Sequence, residues 1–517
     1  MPPPLFGVTT LGAGHGFDPN SSTSGMIIWI NRRGVIVDPP VNSVEQLWSL
    51  GVSPKLIDHV ILTHCHADHD AGTMQKLLQE GKINLITTPT IFTSFVRKLS
   101  WLTGLDHHYL RQLVNFQPVT VGCAMDLLGG EFIFRYTLHS IPTLSIEVNA
   151  FGKGAVYSSD TMNDVTFIHD LYSRGIISRG RRDDLLAFPW DKDVVFHEAG
   201  VPPLHTPLAF LCELPLEVRQ KMYLVHVSAS SIPEGSGLRV APTGLANTVR
   251  LDVGELPHSE AIELLDLLST IELLRHLDLA AAREILRIAR IEQYEDGDAV
   301  FRQGDPGDKF YIVKSGHVDI QIGGRTLTIF SYGDFFGEKG LFLDDPRSAD
   351  AIARSPTQLV MIPRNEMLHF LKGRESYRLL QEVALQQNTH LRQLIEANSN
   401  LNDLTPTQKT RLMGMIEQEV TYPPGEELFA GGAFGDAVYL VSSGRIRCEE
   451  ESGRVCQLES GELLGVRALH PHHRPDTSTV RLFAVETVGC YRLPVERFRR
   501  FLEHNPGLEL RLWFNRY

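Results

Sequence analysis

Short apolar runs separated by polar, glycine-rich turns fill the first 250 residues: MIIWI from Met26, GVIVDPP from Gly34, HVILTH from His59, VVFHEAG from Val194 and MYLVHVS from Met222. Each has strand length and is rich in β-branched and aromatic residues, and between them lie helical stretches such as 71–79. That alternation predicts an α/β sandwich. Over 259–290 the period changes to leucines at helical spacing with few glycines, which predicts a helical joint. Beyond it the chain repeats itself. Tyr294, Gly297, Phe301, Gly304, Gly307, Asp308, Tyr311, Val313, Ser315 and Gly316 recur 128 positions later as Tyr422, Gly425, Phe429, Gly432, Gly435, Asp436, Tyr439, Val441, Ser443 and Gly444. Each copy reads as short strands broken by glycine turns and closed by a helix, near 366–371 and 495–502, with a helical connector over 377–398. The expected organisation is an α/β domain over 1–255, a helical joint and first β-roll over 256–390, and a second β-roll over 391–517.

Length and composition set the surroundings. A chain of 517 residues is too long for one core. A hydrophobic content of 43% and a charged content of 21% fit a water-soluble globular protein. No apolar run approaches the roughly 18 residues of a membrane span, and the start MPPPLFGVTT lacks the layout of a signal peptide. Six cysteines without paired spacing suit a reducing compartment. A cytoplasmic protein without a membrane partner is therefore expected. The net charge of -13 disfavours nucleic acid as the main partner, though a small phosphate ester can still meet a local cation or metal.

The densest chemistry is VILTHCHADHDAG, where an apolar run opens into His64, His66, Asp68 and His69. Unprotonated imidazoles and carboxylates presented from a strand end are metal ligands in a rigid frame. His64 and His66 can grip one ion while Asp68 and His69 turn to a second. This run resembles the metallo-β-lactamase fold, whose hallmark is His-x-His-x-Asp-His, and the likeness covers about half the chain. It continues in order through YTLHSIPTLSIEV with His139, YSSDT with Asp160 and YLVHVS with His226. The resemblance implies an αββα sandwich in which His64, His66 and His139 hold one divalent metal, Asp68, His69 and His226 hold another, and Asp160 bridges. Zinc is the first expectation, with manganese or iron as alternatives.

HEAG at His197, followed by LHTP with His205, resembles the tRNase Z and phosphodiesterase branch of that fold. The likeness implies that His197, Glu198 and His205 assist proton transfer to the leaving oxygen, with Asp68 among the catalytic groups. Gly200 stands where tRNase Z usually carries threonine. The stretch LGAGHGFDPNSSTSG lacks the spacing of a phosphate cradle and is expected to be a loop at the pocket rim, and HPHHRP at 470–475 a solvated loop.

In the first repeat, FFGEKGLFLDDPRSADA over 335–351 resembles the phosphate-binding cassette of cyclic-nucleotide-binding domains. The likeness implies that Gly337, Glu338, Arg347, Ser348 and Ala349 bind cAMP or cGMP, Glu338 accepting from the ribose 2′-hydroxyl and Arg347 clamping the phosphate. Asp350 departs from the usual neutral residue. In the second copy Gly465 keeps its place, Val466 replaces the ribose glutamate and Arg474 is displaced, so a degenerate module is expected, one that packs, forms a homodimer or transmits a signal. The expected activity is binuclear hydrolysis of 3′,5′-cyclic nucleotides, a small phosphodiester substrate, under control of bound cyclic nucleotide. The alternatives are a tRNase Z-like nuclease, hydrolysis of some other ester under cyclic-nucleotide control, and a non-catalytic sensor.

Overall fold

The computed structural model describes all residues except 1–2, 50–51, 54–55, 58, 81–82, 255–258, 272–273, 275–278, 344–345, 386–388, 403, 405, 418, 429–436, 451–453, 467–479, 504 and 514–517. The expected loop at 470–475, Arg474, and the repeat positions Phe429, Gly432, Gly435 and Asp436 lie outside the described residues. Two compact units divide the chain, Met1–Glu263 and Leu264–Tyr517. Arg32 Nε donates to Glu263 at 2.5 Å, which ties the start of the Ser259–Thr270 helix to the first unit.

In the first unit the strands are β1 (Phe6–Gly12), β2 (Gly25–Ile30), β3 (Arg33–Val37), β4 (His59–Ile61), β5 (Ile83–Thr87), β6 (Val114–Pro118), β7 (Ala124–Leu127), β8 (Gly130–Tyr136), β9 (Leu144–Ala150), β10 (Lys153–Tyr157), β11 (Val194–Glu198), β12 (Met222–Val225) and β13 (Val249–Arg250). They form two sheets, ordered β13-β1-β2-β3-β4-β5-β6 and β12-β11-β10-β9-β8-β7. β2 is buried at every position, as a strand covered on both faces must be, whereas β9 alternates buried and half-buried residues. The pairs β3–β4, β4–β5, β5–β6, β10–β11 and β11–β12 are parallel. This two-sheet α/β unit is the expected class of fold.

Its consequence is directional. Asp38 follows β3, His64 lies three residues past β4, His139 three past β8, Asp160 three past β10, Glu198 ends β11 and His226 follows β12. The carboxyl ends of six strands thus carry the chemistry, the usual place for a site in such sheets. The backbone N–H of Leu144 donates to Thr63 O at 3.2 Å and the Ser159 hydroxyl to Thr63 Oγ1 at 2.9 Å, so the two sheets meet there. The HVILTH strand stops at Ile61, and the helix expected over 71–79 begins four residues earlier, spanning Ala67–Glu80. Asp68 and His69 therefore sit in its first turn.

The second unit carries the repeat. Its strands are β14 (Arg290–Tyr294), β15 (Ala299–Phe301), β16 (Lys309–Ser315), β17 (Val318–Ile322), β18 (Arg325–Phe330), β19 (Phe335–Phe336), β20 (Asp350–Ala353) and β21 (Thr357–Pro363), then β22 (Glu419–Tyr422), β23 (Glu427–Leu428), β24 (Ala437–Ser443), β25 (Ile446–Glu450), β26 (Val455–Leu458), β27 (Leu463–Leu464), β28 (Val480–Ala484) and β29 (Val488–Pro494). The sheets β14-β21-β16-β19 and β15-β20-β17-β18 are matched strand for strand by β22-β29-β24-β27 and β23-β28-β25-β26. Helices Arg364–Leu371 and Val495–Glu503 close the two rolls. The connector is Glu375–Leu385, Thr389–Ala397 and Pro406–Met413. Leu391, Leu394, Ile395 and Leu412 pack with Val438, Leu440 and Phe498 in one apolar core, so the later part of the connector belongs to the second roll.

Candidate functional site

His64, His66, His139 and Asp160 form one group of potential ligands, and Asp68, His69 and His226 another, with ligand atoms in each group within 4.8 Å of one another. In the first, His66 Nδ1 lies 3.2 Å from both His64 Nε2 and His139 Nε2. The opposite nitrogens fix the tautomers. His64 Nδ1 is 2.9 Å from Thr63 Oγ1, whose own proton goes to Asp38, and His139 Nδ1 donates to Leu204 O at 3.2 Å. His64 and His139 therefore turn lone pairs toward His66, an arrangement that suits a cation between them. A tetrahedral zinc with Zn–N near 2.0–2.1 Å keeps its nitrogens about 3.3 Å apart, close to what is found.

In the second group, His226 Nε2 is 3.4 Å and His69 Nε2 3.9 Å from Asp68 Oδ2. Asp160 stands between the groups: its Oδ2 is 3.6 Å from His64 and His139 and 3.7 Å from His226, and its Oδ1 is 3.5 Å from His69 Nε2. Asp160 Oδ1 and His69 Nε2 are buried with no hydrogen-bond partner among the described residues. Buried polar atoms are rarely left so, and their spacing suits two atoms that share a third. The donor set thus fits two divalent ions.

Asp38, to which the sequence reading gave no role, supports this set. It is fully buried, accepts from His69 Nδ1 at 2.9 Å and from Thr63 N at 2.8 Å, and so turns His69 Nε2 toward Asp160. Such outer partners orient ligands and raise their basicity. The signal available was a carboxylate directly after a strand, in IVDPP. Asp38 and His226 both hold the left-handed backbone, at φ 43° and 56°, a cost met at functional sites.

Protonation follows the same geometry. Burial works against charge at His69, but Asp160, Asp38 and Asp68 outweigh it and lift the imidazole to about 9 in the metal-free protein. Burial also opposes ionisation of Asp68 and Asp160, yet the surrounding imidazoles hold both below the ordinary carboxylate range. His64 is pushed well down by burial and by its neighbouring imidazoles.

Glu198 Oε2 accepts from His205 Nδ1 at 3.1 Å and Oε1 from Thr206 N at 2.7 Å. The His205 ring stacks on His226 at 4.8 Å and lies 5.3 Å from His139, so its other nitrogen borders the ligand groups. Burial would lower its pKa, but the Glu198 hydrogen bond and carboxylate raise it. Burial lifts Glu198 itself, with the His205 hydrogen bond opposing.

The expected proton-transfer role of His197 does not match its placement. Its ring is fully buried, stacked on Trp190 at 5.2 Å, with Nδ1 donating to Glu198 O at 2.6 Å and Nε2 3.2 Å from Asn163 Nδ2. Burial drives it down to about 4, and the one N–H that the neutral ring keeps is held by the Glu198 carbonyl. The Phe188 and Trp190 segment ahead of β11, invisible as a partner in the sequence, decides this.

In the first roll, Gly337 has φ 86°, and a Cβ there would lie 2.7 Å from Arg347 Nη1 and 2.9 Å from Lys309 O. Glycine is required by both the conformation and the space. Arg347 is buried, donates from Nη2 to Lys309 O at 2.7 Å and lies over Phe301 at 4.3 Å. Glu338 is half-buried by surface area; its pKa is raised by burial and opposed by Arg392, Lys339 and Arg347. Ser348 is exposed, Ala349 is buried, and Asp350 Oδ1 accepts from Gln303 N at 2.7 Å, so its charge is occupied. In the second roll Gly465 repeats the left-handed turn at φ 82°, and Val466 is wholly buried in the core with Leu391 and Leu394.

Residues 6–236 match the family model described as Anti-Pycsar protein Apyc1, and residues 291–374 and 419–505 match that of the cyclic nucleotide-binding domain. The chain is similar to the cGMP-dependent 3′,5′-cGMP phosphodiesterase A of Dictyostelium discoideum, 38% identical over 509 residues that cover 98% of this chain and 58% of that one. It is 30% identical over 506 residues to the cAMP/cGMP-dependent 3′,5′-cAMP/cGMP phosphodiesterase B of the same organism, covering 90% and 46%. A cAMP-dependent protein kinase regulatory subunit of Debaryomyces hansenii is 26% identical over 252 residues, covering 48% and 53%. The chain thus spans about half the length of these curated relatives.

Proposed function

We propose that this chain, a metallo-β-lactamase-fold domain followed by two cyclic-nucleotide-binding domains, hydrolyses the 3′,5′-phosphodiester of cyclic nucleotides and is regulated by cAMP or cGMP at its first C-terminal module. The observation that carries the reading is the convergence of seven candidate ligands, Asp160 among them, beside the His205–Glu198 pair. When bound there, two divalent ions, zinc before manganese or iron, polarise the phosphoryl group and acidify a water. The chain's residues do the rest. Thr63, Asp38 and the Leu204 carbonyl hold the imidazoles in the tautomers that leave lone pairs facing inward. Asp68 and Asp160 stay ionised. His205, whose hold on a proton Glu198 strengthens, faces His139 and His226 and is placed to protonate the departing ribose oxygen.

The names of the two Dictyostelium relatives support the substrate class, and the net charge of -13 weighs against a polyanion. A cytoplasmic location suits six cysteines that are all thiols. Among the described residues no helix is long and apolar enough to cross a membrane. The test is purified, metal-loaded protein offered cAMP, cGMP, a generic phosphodiester and precursor tRNA. Turnover of a cyclic nucleotide that a chelator abolishes is expected; cleavage of precursor tRNA with neither cyclic nucleotide consumed would overturn the reading.

A further inference from the structure

The floor of the metal site is charged, but its rim is apolar. Between β1 and β2 the chain bends at His15, whose carbonyl accepts from Asp18 N at 3.0 Å. Ser228 Oγ pins this bend, lying 3.3 Å from His15 Nε2 and donating to Asp18 Oδ2 at 2.7 Å. The backbone N–H of Gly16 donates to Asp68 Oδ2 at 3.1 Å, and a Cβ on Gly16 would meet that oxygen at 2.9 Å. Only glycine lets the loop pass so close to a ligand carboxylate. The next residue, Phe17, is 95% exposed, with its N–H on His15 Nδ1 at 3.2 Å. An aromatic ring so fully in water, one residue from a ligand contact, has no role in packing.

A second apolar lip comes from the Gly200–His205 segment. Val201 is 76% and Leu204 44% exposed. Leu204 also lends its carbonyl to His139, and Gly200 lies against the His205 ring. The rings of His15, His226, His205 and His139 follow one another at separations of 6.1, 4.8 and 5.3 Å; Phe17 lies tilted 6.5 Å from the first, and the Leu204 carbonyl holds the last.

We propose that Phe17 is a specificity-determining residue that stacks on the substrate's nucleobase, with Val201 and Leu204 as an apolar lip at the far end of the site. The inference rests on the cyclic-nucleotide reading above and deepens it. Exposed apolar groups that rim a polar cleft mark a ligand surface. An aromatic face suits a planar heterocycle, and base–aromatic stacking is tolerant of base identity because every base has a π-face. Adenine and guanine should therefore gain alike.

The test compares cGMP, cAMP and the base-less ribose 3′,5′-cyclic phosphate as substrates of the 517-residue chain, as wild type, Phe17→Ala and Phe17→Tyr. Stacking of ordinary strength predicts that Phe17→Ala raises KM for both nucleotides about tenfold or more with kcat kept. The preference for nucleotide over base-less ester should collapse, and Phe17→Tyr should restore it. Because the side chain is in solvent, the thermal midpoint of both variants should match wild type. An unchanged preference in Phe17→Ala, or equal losses on all three esters, would overturn the inference and leave the phosphodiesterase reading standing. Wild-type protein that turns over neither nucleotide would overturn both.

Discussion

Asp160 and Asp38 divide one task at the scale of single residues: the first reaches both ligand groups, and the second sets the ring that faces it. Asp68→Ala or His69→Ala should abolish turnover and lower metal content together, since each opens one ligand position. Asp38→Ala removes no ligand, yet it frees the His69 ring. A loss of roughly 10- to 100-fold in metal affinity is expected, read by competition with a chromophoric chelator. In the first roll, Arg347→Ala takes away a charge-assisted partner worth about 1.5–3 kcal/mol, or roughly ten- to a hundredfold in nucleotide affinity by calorimetry. His317 contributes to the pH dependence of that roll. Burial holds it below the ordinary histidine value, with Asp334 opposing. The unfolded chain then binds the extra proton first, so this contribution is complete above about pH 6.5 and is lost as pH falls from there through the lower folded value. The urea midpoint should drop between pH 7.5 and 5.5 by less in His317→Gln than in wild type.

Among elements, the short cassette helix Lys339–Phe342 and the connector show how a bound nucleotide could be felt at a distance. Phe342 meets Tyr377 edge to face at 5.2 Å, and Arg392 of the Thr389–Ala397 helix acts on Glu338. The neighbours of Arg392, Leu391 and Leu394, lie in the core of the second roll. Arg392→Ala is expected to change nucleotide affinity at the first module and the dependence of rate on nucleotide together; a change in neither would separate the connector from control. The matching turn of the second roll is filled by Val466. Since that side chain is core, Val466→Glu should not create a second nucleotide site; it buries a carboxylate at a cost of several kcal/mol. Lowered thermal stability with no added calorimetric site is the expected result.

For the whole molecule, the two rolls share topology and differ in chemistry, so one nucleotide per chain is expected in the region 259–517. Calorimetry should find it on protein inactivated by Asp68→Ala, and Arg347→Ala should weaken it by the ten- to hundredfold given above. Two equal sites, or none, would contradict the assignment. Control of the rate requires in addition that nucleotide bind active and inactive states unequally. Turnover of a reporter phosphodiester should therefore change with saturating cAMP or cGMP; an unchanged rate would leave the modules as anchors.

Much of this was legible in the chain itself, because local rules suffice for it. Alternating apolar runs gave the strands, the 128-residue recurrence gave two equivalent rolls, and strand-end histidines and aspartates supplied the candidate ligands in order. Even the changed residue of the second cassette was visible, as Val466 at the position that matches Glu338. Which polar groups face one another is a matter of distance across sheets, and no local pattern records it. The sequence offered His197 and His205 as equals, yet Trp190 and Asn163 seal the first in a neutral tautomer while Glu198 turns the second toward the ligands. Asp38 lies 31 residues from His69 along the chain and 2.9 Å from it in space. Tertiary structure alone decided these roles, because burial and partner geometry fix where a proton resides.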